Sequence, residues 1–283
     1  MKIHYDSPQI EKEFPDRFIT LPISEDANTN FAVGMALAGV KPIVDVITAD
    51  FLYRTMDSIC NTVAKTNFVS DPKTIVIRAE FMTAGPTTGQ RPETLFTHIP
   101  GLNVVIPSNP RDARGLMNTV LQEKAATIFF EDRMIEDKTT LIDDMDLDNR
   151  DIDEIPLGKA KKRRDGRSGV TIVSYGLMLR MIDLLFERER LPYDLIDLRT
   201  IYPLDIGLIC DSVSRTGACL IVEPDVTYAG VGAEIAAQIS ERTSYPVRRL
   251  GAPRTTIPAS RSLHDYLLPS EKRILEVAKE LSR

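Results

Sequence analysis

Residues 170–197 read VTIVSYGLMLRMIDLLFERERLPYDLID. An apolar run at 170–175 leads into an amphipathic stretch at 177–189 and then a second apolar run at 193–197. Short runs rich in β-branched residues fit buried strands, and the spacing of apolar residues in 177–189 fits a helix packed on one face. Strand, helix and strand in close succession are the unit of a parallel α/β sheet. The alternation continues with helices at 205–214, 232–241 and 271–281 and strands at 218–223 and 247–250. It also holds upstream, with strands at 17–21, 41–47, 74–79 and 127–130 and helices at 27–38, 53–65 and 111–123. Residues 80–100 form a long loop rich in Gly, Pro and Thr, a kind of segment that often carries function. The expected fold class is α/β, with two three-layer α/β/α domains and mostly parallel sheets.

A chain of 283 residues suits about two domains. The expected division is a first domain at 1–142, a charged linker at 143–168 and a second domain at 169–283. Within the linker, an acidic run (143–154) precedes a basic one (159–164), which reads as a solvated connector with complementary charge. The formal net charge of −6 argues against a nucleic-acid or anionic-membrane partner. No apolar run approaches the roughly 18–20 residues of a membrane span. The polar, mixed-charge start is unlike a signal or transit peptide. Cys60, Cys210 and Cys219 are widely spaced and read as structural, which fits a reduced, cytoplasmic compartment.

Four segments gain meaning together. They are Leu21-Pro22-Ile23-Ser24-Glu25; Ile99-Pro100-Gly101-Leu102 leading to Val105-Ile106-Pro107-Ser108; Asp197-Leu198-Arg199-Thr200 with Pro203-Leu204-Asp205; and Gly230-Val231-Gly232-Ala233-Glu234-Ile235. In this order and spacing they resemble the beta subunit of the thiamine-diphosphate-dependent decarboxylating component of 2-oxo acid dehydrogenases. The resemblance runs from about Phe14 to the C-terminus. It implies a transketolase-like pyrimidine-binding domain followed by a transketolase C-terminal domain.

Thiamine diphosphate becomes reactive when its thiazolium carbon loses a proton to its own amino group, and the coenzyme carries the hard chemistry. The amino group becomes basic when a carboxyl shares a proton with the ring nitrogen opposite it. An apolar, partly buried site lets a carboxyl do so. Read from the residues alone, Glu25 is a first-turn carboxylate favoured by the helix dipole, with Ser24 as the cap. The resemblance implies instead that Glu25 binds and activates the coenzyme. Phe51, set between a strand and a helix, matches the family's aromatic that stacks on the pyrimidine; read alone it is a core phenylalanine. Thr87, Thr88 and Gln90, in the long loop, are expected to shape the substrate pocket.

The chain departs from the family pattern in three places. Relatives carry a histidine after Gly-Pro-X, where this chain has Thr88, which can donate or accept a hydrogen bond but does not titrate near neutral pH. His98 matches a position read as structural. The segment before residue 17 is shorter than in relatives, which implies either an open sheet edge for a partner to cover or a rearranged fold, the partner being the favoured reading. No Gly-Asp-Gly with a distant Asn is present, so Mg²⁺ at the diphosphate is expected through a partner chain, and no metal ligand is assigned here. Potassium held by backbone carbonyls, as in some relatives, stays open. The turn at Gly230-Val231-Gly232 reads as tight strand–helix packing rather than a phosphate cradle.

The resemblance implies the beta subunit of a two-component enzyme that oxidatively decarboxylates a 2-oxo acid and passes the acyl group to a lipoyl-type or other carrier-protein acceptor. It implies an alpha-type partner in an α₂β₂ heterotetramer. Two alternatives stay open. One is the C-terminal half of a split transketolase-type enzyme that moves a two-carbon ketol unit. The other is a non-catalytic assembly subunit of the same fold.

Overall fold

A computed structural model describes residues 7–82, 85–132, 154–166 and 169–283. Thr83 of the long loop and residues 143–153 of the acidic run lie outside the described residues. The first half holds helices α1 (Ser7–Glu13), α2 (Glu25–Leu37), α3 (Ala64–Val69), α4 (Glu93–Thr97) and α5 (Pro110–Gln122). Its strands are β1 (Ile43–Thr48), β2 (Ile75–Phe81), β3 (Leu102–Val105) and β4 (Ala126–Asp132). The second half adds strands β5 (Lys161–Arg164), β6 (Thr171–Ser174), β7 (Asp194–Asp197), β8 (Thr200–Tyr202), β9 (Cys219–Val226) and β10 (Val247–Ala252). Its helices are α6 (Gly176–Glu189), α7 (Ile206–Thr216), α8 (Val231–Arg242), α9 (Arg261–Leu267) and α10 (Glu271–Leu281).

Two five-stranded sheets result, ordered β1-β2-β4-β3-β8 and β10-β9-β6-β7-β5. The described pairings are parallel except β3–β8 and β5–β7. Each sheet is sandwiched because both faces of its central strands are apolar. Along β2, Ile75, Ile77, Ala79 and Phe81 join the core under α2, while Val76 meets Leu116 and Val120 of α5 on the other face. In the second sheet, α6 and α10 cover Ile172, Leu195 and Leu220, while α7 and α8 cover Val173, Ile196 and Ile221. Each fully buried aliphatic or aromatic side chain contributes about 1.5–3 kcal/mol relative to an exposed one. Helix ends follow local chemistry. Asn109 caps α5 by accepting from the Asp112 N–H at 2.8 Å, and Gly217 (φ +92°) ends α7 in the left-handed region.

Several sequence expectations give way. Residues 18–24 are not a strand: Pro15–Arg17 is a 3-10 turn, and Ile19, Leu21 and Ile23 after it are all exposed, leaving no face to bury against a sheet. The helix expected at 53–65 starts earlier, as a 3-10 segment at Ala49–Thr55, and passes through a π-helical segment at Ser58–Val63 before α3. The long loop contains α4, and β3 follows it. Lys161–Arg164 is not a free connector. It forms the edge strand β5, held by Arg163 and Arg164 on Asp183 of α6 at 3.3 and 2.7 Å. Strand β8 comes from the second half yet extends the first sheet, giving β3 an antiparallel neighbour.

The carboxyl ends of strands in both sheets meet. Leu177 N–H donates to Asp132 Oδ2 at 2.8 Å, Ser108 Oγ to Asp197 Oδ1 at 2.8 Å, and Tyr175 Oη to Glu93 Oε1 at 3.2 Å. Arg199 clamps Asp112 with two bonds, at 3.1 and 2.8 Å. Crevices at the carboxyl ends of parallel strands are where open α/β folds bind ligands.

Candidate active site

Glu25 is the first residue of α2 and is half-buried. Its backbone carbonyl accepts from Thr29 Oγ1 at 2.8 Å, but its carboxylate has no partner among the described residues. Ser24 occupies the N-cap without a side-chain capping bond, so the capping role expected of it is not filled. The start of α2 is fixed instead by Asp26 and Asn30, which both bond Ser58 Oγ of the π-helical segment, Asn30 at 2.5 Å. Asn28 adds a bond to the Pro22 carbonyl at 3.2 Å.

Phe51 follows β1 and is 39% exposed, so it is not a core phenylalanine. Asp50 beside it is buried. One of its oxygens accepts from Gln90 N–H at 3.1 Å and the other has no partner. Burial raises the Asp50 pKa, and the Gln90 N–H opposes that. This bond seats Gln90 next to Phe51. Thr88 N–H closes a turn onto the Gly85 carbonyl at 3.2 Å; Thr88 is half-buried and Thr87 exposed. Gly85 and Gly89 lie against Ala259 and Ile257, where an added β-carbon would sit 3.1 and 3.0 Å from those side chains. The loop is thus held between Asp50 and the second half of the chain. No hydrogen bond or ion pair joins Glu25 to the loop among the described residues. His98 is exposed after α4.

Beneath the loop lies a set of charged groups that the sequence did not reveal as functional. The Arg91 guanidinium stacks over the Phe81 ring at 3.5 Å and donates to Asp132 Oδ1 at 2.8 Å and Glu93 Oε1 at 3.1 Å. Phe81 in turn stacks on Phe130 with centroids 4.8 Å apart. Tyr53 is pushed up to about 12 by burial, then by the charges of Asp50, Asp225 and Glu93. Across the crevice, Glu223 of β9 accepts from Gly232 N–H at 2.9 Å. A β-carbon at Gly230 or Gly232 would lie 2.5 or 2.8 Å from its carboxylate oxygens. The glycine-rich turn therefore houses a carboxylate of its own chain, which agrees with packing rather than phosphate binding. The signal available in the sequence was the cluster of small residues, not their target.

Among the described residues, no group of three or more His, Cys, Asp or Glu could hold a metal ion, and no helix is long and apolar enough to cross a membrane. Glu25 and Phe51 fit a coenzyme in the sense that each presents an unpartnered functional surface: a free carboxylate and an exposed ring.

Family comparison matches residues 6–136 to the transketolase pyrimidine-binding domain and residues 158–274 to the transketolase C-terminal domain. The beta subunit of the pyruvate dehydrogenase E1 component from Rickettsia bellii is 33% identical, over 96% of this chain and 86% of that protein. This chain belongs to the E1 beta-subunit family. Another relative is the mitochondrial 2-oxoisovalerate dehydrogenase beta subunit of Dictyostelium discoideum, 32% identical over 88% of this chain and 70% of that one. A solved split-gene transketolase, described as an inactive beta4 tetramer, superposes with a TM-score of 0.81 at 20% identity. The match covers 98% of this chain and 89% of that one, and shows the fold. Both halves of an E1 beta subunit are thus accounted for, with β8 bridging them.

Proposed function

We propose that this chain is the beta-type half of a two-component thiamine-diphosphate enzyme that oxidatively decarboxylates a 2-oxo acid and passes the acyl group to a lipoyl-type or other carrier-protein acceptor. The observation that carries the reading is the free, half-buried Glu25 carboxylate at the start of α2, in a chain matched nearly end to end by E1 beta subunits. Bound thiamine diphosphate supplies the carbon nucleophile. Glu25 would hold a proton at the pyrimidine ring nitrogen, and Phe51 would stack on that ring; offset stacking contributes about 0.5–1.5 kcal/mol beyond buried area. Thr87, Thr88 and Gln90 line the substrate side. With Thr88 in place of a histidine, proton transfer to substrate there falls to another group or to water.

An alpha-type chain would complete the site and supply the Mg²⁺ ligands for the diphosphate, in an α₂β₂ assembly. Support for a partner comes from the apolar side chains left exposed around Glu25: Ile19, Leu21, Ile23 and Phe31. Exposed apolar side chains gathered in one stretch of chain support an interaction site there. The cytoplasmic assignment stays a proposal, supported by three free cysteines. Co-expression with an alpha-type chain bearing the diphosphate motif should yield a stable complex that binds the coenzyme and consumes 2-oxo acids. Turnover of ketose phosphates instead would favour the split-transketolase reading, and a coenzyme-free chain indifferent to alpha chains would favour the assembly-subunit reading.

A further inference from the structure

Strand β1 does not end as a plain strand. Between the pairs Asp45–Arg78 and Thr48–Glu80 it takes three residue steps where β2 takes two, so one extra residue is inserted. Within that interval Ile47 has a φ of +60°. A β-branched residue in the left-handed region is a costly outlier, whereas glycine adopts it freely. The bulge is pinned by side chains. Ile47 N–H donates to Asp45 Oδ1 at 2.9 Å, and Asp45 Oδ2 faces Arg78 Nη1 at 3.4 Å. Arg78 also pairs with Glu131 of β4, so the carboxylate that fixes the bulge is itself tied across two further strands. The extra residue sets the phase of the 3-10 segment that follows, where side chains three residues apart share a face. Ala49, Leu52 and Thr55 are all fully buried, which leaves Phe51 on the outer face. Without the insertion each residue would move one place on. Phe51 would fall in the buried place of Leu52, and Arg54 in that of Thr55.

We propose that Asp45 is a positioning residue for the coenzyme site: by holding the one-residue bulge at Ile47, it puts the Phe51 ring on the open face after β1 rather than in the core. The proposal rests on the reading that Phe51 stacks on the pyrimidine. Asp45 acts through the backbone and does not itself touch the coenzyme. The same phase turns Asp50 inward, where it accepts from Gln90 N–H at 3.1 Å, so the bulge also fixes where the substrate-side loop attaches. Strained backbone persists only where its surroundings over-determine it, and a bulge beside a binding site is a common way to re-aim a side chain. Here the surroundings are the Asp45 bond on one side and the buried Ala49 and Leu52 on the other.

Two experiments test this. On the full chain, Ile47→Gly and Ile47→Ala are compared by chemical denaturation. At an ordinary strand position alanine is the more stable of the two, whereas at a left-handed one glycine is. Ile47→Gly should therefore unfold at the higher denaturant concentration, and the opposite ranking would overturn the proposal. In the complex with an alpha-type chain, calorimetry measures the affinity for thiamine diphosphate. Asp45→Ala should weaken it by about two- to tenfold, as loss of a stacked ring would. Asp45→Asn keeps an acceptor for the Ile47 N–H but not the charge facing Arg78, and should bind the coenzyme as the natural chain does. In a Phe51→Ala background, Asp45→Ala should cost nothing further, because both changes remove the same contact. Unchanged affinity in Asp45→Ala, losses that add, or an Asp45→Asn as weak as Asp45→Ala would overturn the proposal and leave the stacking reading in place. Undiminished affinity in Phe51→Ala would instead remove the stacking reading, and the proposal with it. The ranking at residue 47 requires no Asp45 variant, so it decides even if Asp45→Ala does not fold.

Discussion

The start of α2 and the crevice between the sheets handle charge in opposite ways. At α2, Glu25 stands with a free carboxylate beside exposed apolar side chains, and the backbone around it is fixed by side-chain bonds of Asp26, Asn28 and Asn30 to Ser58 and Pro22. In the crevice, buried ion pairs within the chain do the holding, as in Arg91 with Asp132 and, between the halves, Arg199 with Asp112. The difference separates a surface prepared for another molecule from a joint that is complete within the chain. It explains why the crevice can be described in full from one subunit, whereas the coenzyme side proposed at Glu25 would be half a site.

Variants can break or sharpen this contrast. The largest effect is expected from Arg91→Met, which strands Asp132 and Glu93 as unpaired buried acids. Chemical denaturation should show a loss of about 3–5 kcal/mol. A loss under about 1 kcal/mol would mean that the joint is not held by charge. Next comes pH. Asp197 is pushed up to about 7, by burial and then by Asp112, from an ordinary 3.8. Glu223 and Asp225 shift the same way. The folded state therefore binds protons more tightly than the unfolded chain. Stability from these groups is full below about pH 4 and falls as pH rises through 7, by an amount on the order of a few kcal/mol. Thermal midpoints at pH 5.5 and 8.5 check the direction, and Asp197→Asn should flatten part of the slope.

Smaller effects belong to the open side. Phe51→Ala should weaken coenzyme binding by about 1 kcal/mol in the assembled enzyme while leaving the isolated chain's stability nearly unchanged. Titration calorimetry and a melting curve separate the two. Ile23→Ser should alter the chain's own stability by less than about 0.5 kcal/mol. Analytical ultracentrifugation with the alpha-type chain should nonetheless show weaker assembly. An unchanged complex would remove Ile23 from the interface.

Legibility in the sequence followed the same divide. Strands buried on both faces, such as β6 and β9, announce themselves as apolar runs, and α10 matches its expected bounds of 271–281. Strand β5 escaped notice because its residues are all basic, and their partner Asp183 is on another element. Strand β8 is three residues long and is defined by its pairing with the far edge of β3, a tertiary contact that local sequence does not announce. Residues 17–21 have strand composition but nothing to pair with among the described residues. For the site, the motif around Glu25 was readable from resemblance. Glu93 and Glu223 were not, because burial of a carboxylate is decided by tertiary neighbours, here Tyr175, Gly230 and Gly232.

The central claim is that Glu25 activates the coenzyme, and the most direct test follows the thiazolium proton. In the complex with an alpha-type chain, exchange of that proton into heavy water can be measured by quenched-flow NMR for the natural chain and for Glu25→Gln. The account predicts that exchange slows by about 10²-fold or more in the variant while the coenzyme stays bound. Exchange at the natural rate in Glu25→Gln would contradict it and leave Glu25 as a helix-start residue.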